Sequence, residues 1–301
     1  MISKKLKLSL IAIPFVLSVP FIVASCAKNY TIEQKIQKGK EELDKVKFDE
    51  KSAYKFSDVD WSKVKYIEGE LDKWADGDTP YLKNITAGDN EISRLFYKQN
   101  EAELKKGKKI RVLGIDTPEK ALPGNIEIKP IELVWAQAAS KFGEVTILPN
   151  QKVRVMTDGQ PSYDRLVGSI YFGDKFEYEY STEIVRAGYT LPNGSEALKA
   201  TLDGEDLPSY YQSYGIVLAY KEAKKKQNGF WKIFNDEYDV TNNTSGIYIS
   251  RQNNGWKIYS DKDFSDEGFT TIEQIIKANL RFEENKGKKI SDFVYIPVNK
   301  R

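Results

Sequence analysis

Histidine is absent from the 301 residues of this chain, and cysteine occurs once, at Cys26. Without histidine the chain cannot use an imidazole base, a Ser-His-Asp triad or a histidine-bound zinc ion. A single cysteine excludes an internal disulfide and a cysteine-ligated metal cluster. Any catalysis must therefore rest on carboxylates, arginine, lysine, tyrosine or a metal ion bound through oxygen.

A large excess of one charge is also lacking. The 46 lysine and arginine residues nearly balance the 44 acidic residues, which leaves a formal net charge of +2. The net charge of the whole chain is therefore too small to attract nucleic acid or an acidic membrane strongly. A site that binds a polyanion must be a local cluster of basic residues. With 40% apolar and 12% aromatic residues, the composition is typical of a globular protein with a core.

The first 25 residues have the pattern of a secretory signal. Three lysines among the first seven residues precede an apolar run from Leu8 to Val23, and the small residues Ala24 and Ser25 then lead to Cys26. Two prolines make this run a poor membrane-spanning helix. The ending resembles a bacterial lipobox, which predicts cleavage before Cys26 and lipidation of its thiol. The alternative is an uncleaved membrane anchor, and both interpretations predict an extracytoplasmic protein held at the membrane.

Composition divides the rest of the chain into three parts. Residues 26–60 are rich in lysine and glutamate, with a helix predicted over 33–47, and we interpret them as a solvated stalk. Residues 61–231 form the main predicted domain, within which 87–106 is an inserted polar segment with a helical pattern. Residues 232–301 are predicted to be a small β-rich addition of unknown role, with a hairpin turn at 253–255, a helix over 272–280 and a last strand over 293–298.

Short β-type runs and helical segments alternate within the main domain. Five runs bounded by turn residues predict strands that close into a small barrel or sandwich: 64–74, 81–85, 109–115, 152–157 and 166–172. Helices are predicted over 131–142, 181–187 and 210–226, the last two followed closely by glycine. The predicted class is α+β, dominated by a closed sheet.

Three short motifs carry the residues suited to chemistry. Asp76-Gly77-Asp78-Thr79 follows a strand, and taken alone it is most often only a turn. Asp116-Thr117-Pro118-Glu119 places two carboxylates on a loop that the proline bends, although the same residues also suit a helix entry. Tyr163-Asp164-Arg165 opens the strand over 166–172.

The order of these motifs resembles that of the staphylococcal nuclease (thermonuclease) family. That family has an Asp-Gly-Asp-Thr turn, an arginine five residues before an Asp-Thr-Pro-Glu loop, and a Tyr-Gly-Arg turn. Arg111 stands five residues before Asp116, and Asp164 replaces the turn glycine of the third motif. The similarity extends over about residues 64–231. It implies a five-stranded OB-fold barrel with three helices.

Phosphodiester hydrolysis explains these residue types on physical grounds. Charge builds on the phosphate oxygens as water attacks, so the site needs fixed positive groups and a base. Arg111 and Arg165 suit the first task, because guanidinium stays charged and offers a planar fork to phosphate. Only 8 of the 46 basic residues are arginine, which makes their occurrence at these two positions notable.

The resemblance assigns roles to the remaining motif residues. It implies that Glu119 is the base, that Asp78, Asp116 and the Thr117 carbonyl hold Ca²⁺, and that Asp76 supports the site from behind. Asp76 as a plain turn residue is an equal alternative, and Tyr163 either contributes to the site or only packs beside the arginine turn.

The leading hypothesis is a monomeric, membrane-anchored, Ca²⁺-dependent endonuclease that acts on DNA and RNA and leaves 3′-phosphates. A second hypothesis is a non-catalytic barrel that binds nucleic acid or another ligand, although such a protein has no need of Glu119. A third is a surface adhesion lipoprotein that binds through residues 232–301.

Overall fold

A computed structural model describes residues 28–56, 59–121, 127–193 and 207–244. The strands are β1 (Tyr66–Asp76), β2 (Thr79–Ala87), β3 (Lys108–Val112), β4 (Ile115–Asp116), β5 (Lys152–Met156), β6 (Pro161–Ser162), β7 (Arg165–Phe172), β8 (Tyr178–Glu179) and β9 (Leu191–Pro192). The helices are α1 (Ile32–Asp44), α2 (Glu91–Leu104), α3 (Pro130–Thr146), α4 (Tyr180–Ala187), α5 (Leu207–Lys226) and α6 (Glu237–Thr244). Short 3₁₀ turns cover Glu50–Ser52 and Gly229–Lys232.

Five strands close into a mixed β-barrel. They run in the order β3-β2-β1-β5-β7 with antiparallel neighbours, and a parallel pairing of β3 with β7 completes the circle. The eleven-residue β1 pairs with β2 along most of its length and with β5 near its start. Irregular register between β1 and β2 supplies the bending that closure requires. The predicted α+β fold with a five-stranded OB-type barrel is confirmed, and all five main strands lie where the sequence predicts them.

The barrel interior and the helix contacts form one hydrophobic core. Ile67, Ile110, Val153 and Val155 are fully buried inside the barrel. Outside it, the indole of Trp135 on α3 is completely buried, with its ring centroid 4.7 Å from that of Phe230. The helix α3 therefore joins the barrel to the C-terminal part of the described chain. No helix within the described residues is long and apolar enough to cross a membrane.

The prediction of a solvated stalk over 26–60 is wrong for the residues that the structure describes. The helix α1 begins with a capping box at Thr31 and packs along α3. Lys35 and Glu42 are buried and form ion pairs of 2.6 Å with Asp239 and Lys232. Charged residues that the sequence suggests are in water are thus partners across helices, and the segment belongs to the folded body.

The boundary predicted at residue 231 also changes. The helix α6 packs on α3 with Val240 and Thr244 fully buried, so the fold continues at least to residue 244. The predictions for residues 245–301, including the hairpin, the helix and the last strand, lie outside the described residues. The inserted segment contains α2 as predicted, although Ile92 and Leu95 are about half exposed and its buried residues are Ser93 and Leu104.

Candidate active site

The tight turn between β1 and β2 carries the first motif. A side chain on Gly77 would place its Cβ 2.8 Å from the Cβ of Ala139 and 2.9 Å from the Cγ2 of Thr117, so only glycine fits. The hydroxyl of Tyr180 donates a 2.8 Å hydrogen bond to the Gly77 carbonyl. The turn is thereby wedged between α3 and the loop of the second motif, which brings the two motifs together.

Arg111 lies at the centre of the site. Its guanidinium donates to a carboxylate oxygen of Asp78, to Asp116 Oδ1 at 2.5 Å and to the Ile115 carbonyl at 3.2 Å. Asp78 and Asp116 are almost completely buried, with 4% and 1% of their surfaces exposed. Thr79 Oγ1 adds a 2.8 Å hydrogen bond to Asp78 Oδ1. One guanidinium therefore neutralises two buried carboxylates that come from different motifs.

The loop after Asp116 is extended, and no helix begins at Thr117. The Thr117 amide donates to Asp78 Oδ2 at 3.3 Å, and Thr190 Oγ1 donates to the Asp116 carbonyl at 2.7 Å. Lys120 Nζ bonds the Ala75 carbonyl at 2.8 Å and ties the loop back to β1. The helix-entry alternative for this motif is therefore wrong, and the loop is held by contacts from three sides.

Glu119 is half-buried in this loop, and both acidic and basic side chains act on its carboxyl. Burial raises its pKa to about 7, and the charges of Asp76 and Glu132 act in the same direction. Arg111 and Arg165 oppose this shift. Both arginines and Asp76 are thus near enough to act on Glu119, and we refer to the space that Arg111, Glu119 and Arg165 share as the cleft. A carboxyl that titrates near neutrality is suited to proton transfer.

Arg165 reaches the cleft from the start of β7. Its Nη1 donates to Thr79 Oγ1 at 3.2 Å and its Nη2 donates to Ser162 Oγ at 3.4 Å. Burial lowers its pKa, with the charge of Arg111 adding to that effect. The neighbouring Asp164 does not turn toward the cleft, because its Oδ2 forms a 2.7 Å ion pair with Lys109 on the adjacent strand. Arg165 therefore keeps an accessible positive charge beside Glu119.

The side chain of Tyr163 is 96% exposed, and its backbone has a φ of +57°, in the left-handed region of the turn. Tyr163 is near enough to Arg165 to raise the pKa of its guanidinium. Tyr163 therefore lies beside Arg165 without being packed into the protein, and its part in the site stays a prediction. Cys26 lies outside the described residues. Lys120, Thr190 and Glu132 surround the site, and sequence reasoning missed them because no motif links them to it.

The donor set can be tested for Ca²⁺. Asp78, Asp116 and the Thr117 carbonyl offer only hard oxygen donors, which suits this ion. The two carboxylates meet at one guanidinium, and the main chain of Thr117 lies against Asp78. Within the described ranges, no cluster of three or more acidic side chains is arranged to hold a metal ion. Asp78, Asp116 and the Thr117 carbonyl are thus donors of the type that Ca²⁺ accepts, and the two carboxylates lie close together in the described structure.

One family model and two curated proteins are similar to parts of this chain. Residues 109–233 match the family model described as staphylococcal nuclease homologue. A protein of Mycoplasma pneumoniae described as an uncharacterized lipoprotein is 28% identical over 147 residues, which cover 47% of this chain and 48% of that protein. A second uncharacterized lipoprotein, from Mycoplasma genitalium, is 28% identical over 137 residues, or 44% of this chain and 52% of that protein.

The match thus spans about half the length of these curated relatives. The matched family segment includes Arg111, the Asp116–Glu119 loop and Arg165, whereas the Asp76–Thr79 turn precedes it. The Asp76–Thr79 turn joins β1 and β2, and the pairing of the barrel strands brings this turn next to the motifs that lie within the matched segment. Over residues 109–233 this chain is therefore similar to the staphylococcal nuclease homologue family.

Proposed function

We propose that this domain is a Ca²⁺-dependent nuclease that hydrolyses phosphodiester bonds of DNA and RNA. The observation that carries the proposal is the convergence of Arg111, Glu119 and Arg165 in one cleft, two fixed cations beside one carboxyl with a raised pKa. A protein that only binds nucleic acid needs the cations, but it has no need of a half-buried carboxyl close to both of them.

The chemistry follows from these positions. Glu119 takes a proton from water, whose oxygen attacks phosphorus while the P–O5′ bond breaks. The departing O5′ takes a proton from a second water molecule, whose hydroxide then receives the proton held by Glu119, which leaves a 3′-phosphate and a 5′-hydroxyl. Arg111 and Arg165 offer N–H donors to the phosphate oxygens on which negative charge grows. Asp76, near enough to raise the pKa of Glu119, keeps that carboxyl a stronger base than an exposed glutamate.

Calcium has a defined place in this proposal. Asp78, Asp116 and the Thr117 carbonyl would hold the ion, which would neutralise charge on the phosphate during attack. The binding of Ca²⁺ would also give the two buried carboxylates a second source of positive charge beside Arg111. We expect cleavage to require the ion and to stop when a chelator removes it.

The decisive experiment measures cleavage of linear, circular and single-stranded DNA and of RNA by the chain from Ala27 onward. Glu119→Gln should reduce the rate by about a hundredfold or more, the range of general base catalysis, while leaving the fold intact. Glu144→Gln, an exposed change on α3, is the matched control and should cleave normally.

Each result decides between the hypotheses. Chelator-sensitive cleavage that depends on Glu119 supports the nuclease and its metal together. Full activity in Glu119→Gln would contradict the mechanism. Tight binding of nucleic acid without cleavage in any divalent metal would favour the non-catalytic barrel instead.

We further propose that the protein is a membrane-anchored lipoprotein, lipidated at Cys26. The curated relatives described as lipoproteins support this, as does the lipobox-like ending of the N-terminal segment. Two residues after Cys26, the chain is already bound to the folded body. The backbone amide of Lys28 donates to Asn235 Oδ1 at 2.7 Å, and the Lys28 Nζ donates to the Phe234 carbonyl at 3.2 Å. Fatty-acid labelling of the full chain, absent in Cys26→Ala, is the expected result.

The proposed site is complete within one chain, so we propose that the protein acts as a monomer. Light scattering of the chain from Ala27 onward should give the mass of one copy at concentrations where it cleaves DNA. A dimer mass under those conditions would contradict this proposal.

A further inference from the structure

A groove runs along the outside of the barrel next to the proposed active site. It has a volume of about 510 Å³ and lies between β2, β3 and the end of α2. Four lysines line it, Lys83, Lys106, Lys108 and Lys109, together with the ring of Tyr81 and three acidic residues. The groove is therefore partly built by the inserted segment that contains α2.

The groove and the active site share the same strand faces. Side chains two residues apart on a strand point to one face, so Thr79, Tyr81 and Lys83 follow one another along the outside of β2. On β3, Lys109 lies on the face that carries Arg111 and pairs directly with Tyr81. The groove thus starts one step along each strand from residues that contact the proposed catalytic groups.

The ring of Tyr81 lies close to two lysine side chains. The Nζ atoms of Lys73 and Lys109 lie 5.1 and 5.5 Å from the centre of its ring. The side chain is half-buried, so part of it is accessible to a ligand. An aromatic ring flanked by ammonium groups suits an unpaired base and its phosphates, because any base has a face that can stack.

The acidic residues of the groove hold the lysines only weakly. Lys83 pairs with Asp72 at 3.5 Å, Lys106 with Glu103 at 3.0 Å and Lys109 with Asp164 at 2.7 Å. At least one partner of each pair is substantially exposed to water. Exposed ion pairs of this kind contribute little, so a phosphate can replace the carboxylate at small cost.

From these observations we propose that the groove binds single-stranded nucleic acid on one side of the cleaved phosphate. The lysines hold successive phosphates and Tyr81 stacks on a base. This inference rests on the proposed nuclease function and adds a substrate-binding surface to it.

The test compares two double variants of the chain from Ala27 onward. Lys83→Ala/Lys106→Ala removes two groove lysines that make no contact with the proposed catalytic residues. Lys40→Ala/Lys225→Ala removes two exposed lysines from α1 and α5 and changes the net charge equally. We measure cleavage of a sixteen-residue thymidine oligonucleotide and of a mononucleotide nitrophenyl phosphodiester, which is too short to enter the groove.

The groove variant should raise KM for the oligonucleotide about tenfold, with kcat and the short substrate unchanged. The slope of log affinity against log salt should fall by about 1.4, the value for two lost phosphate contacts on a single strand. Tyr81→Leu should weaken oligonucleotide binding about fivefold or more, the lower end of base stacking. The control variant should match the unaltered protein in every measurement.

A groove variant indistinguishable from the control would overturn the proposal. Fluorescence anisotropy of the labelled oligonucleotide in chelator separates this inference from the nuclease itself. Lysine-dependent binding without cleavage in any metal would support the groove and reject the nuclease, whereas cleavage without lysine dependence would do the reverse.

Discussion

Replacing Arg111 by methionine should separate the structural task of this arginine from its catalytic one. Methionine keeps much of the side-chain length but removes the charge that neutralises Asp78 and Asp116. Both carboxylates are nearly buried, so water cannot replace the lost donors. Arg165→Met is the matched control, because its guanidinium is half-buried and donates to the hydroxyls of Thr79 and Ser162.

The magnitude follows from these environments. Removing one partner of a buried ion pair costs about 3–5 kcal/mol, because an uncompensated charge remains. In chelator, Arg111→Met should therefore lose about that much free energy of unfolding. Arg165→Met should lose less than about 1 kcal/mol, since its guanidinium is half-buried and its partners are two neutral hydroxyls, those of Thr79 and Ser162. Both variants should lose nearly all nuclease activity.

Urea denaturation followed by tryptophan fluorescence measures both free energies, in chelator and in saturating calcium. Because a bound cation supplies the missing charge, calcium should recover about 2 kcal/mol or more of the loss in Arg111→Met. An Arg111→Met protein as stable as Arg165→Met in chelator would refute the idea that Arg111 holds the two carboxylates together. A calcium effect equal in both variants would refute the assignment of Asp78 and Asp116 as its ligands.

Three further changes test other parts of the structure. In chelator above pH 7, Glu119→Gln should be more stable than the parent by about 2 kcal/mol. The reason is that the pKa of Glu119 is higher in the folded protein than in the unfolded chain, so ionisation of this carboxyl favours unfolding. Urea melts at different pH values should show that the difference in stability vanishes below about pH 4.5, where the carboxyl is protonated in both states. Trp135→Ala should cost about 3–5 kcal/mol in the same assay, since its buried ring packs on Phe230, and a loss below 1 kcal/mol would contradict the packing of α3. Tyr163→Ala should leave stability within about 0.5 kcal/mol, because its side chain is exposed.

The order of elements in the barrel was accessible from sequence because it depends on local patterns. Short runs of β-forming residues bounded by turn residues mark the strands, and glycine marks the end of α4 at Gly188. Strand ends differ from the prediction by one to three residues: pairing of β1 with β2 continues to Asp76, and β3 ends at Val112. Barrel closure through β3 and β7 is a long-range pairing that no local pattern specifies.

The stalk prediction was wrong because the composition of a segment does not show which of its charged residues the fold buries. Lysine and glutamate composition normally indicates solvent exposure, and nothing near Lys35 in sequence identifies Asp239 as its partner. The same limitation applies to the groove beside the active site, where Tyr81 and Lys109 meet only because β2 and β3 pair. Charge patterns report which residues can pair, whereas the fold decides which pairs form.

The sequence by itself determined the chemistry available to this protein. The absence of histidine left carboxylates and arginines, and the three motifs in order indicated which of them act together. Only the tertiary structure decided their surroundings: Arg111 joins two buried carboxylates, Glu119 has a pKa raised to about 7, and Tyr163 is exposed to water beside Arg165. The physical reason is that desolvation and charge interactions depend on what surrounds a group in space, and residues distant in the chain supply most of those surroundings.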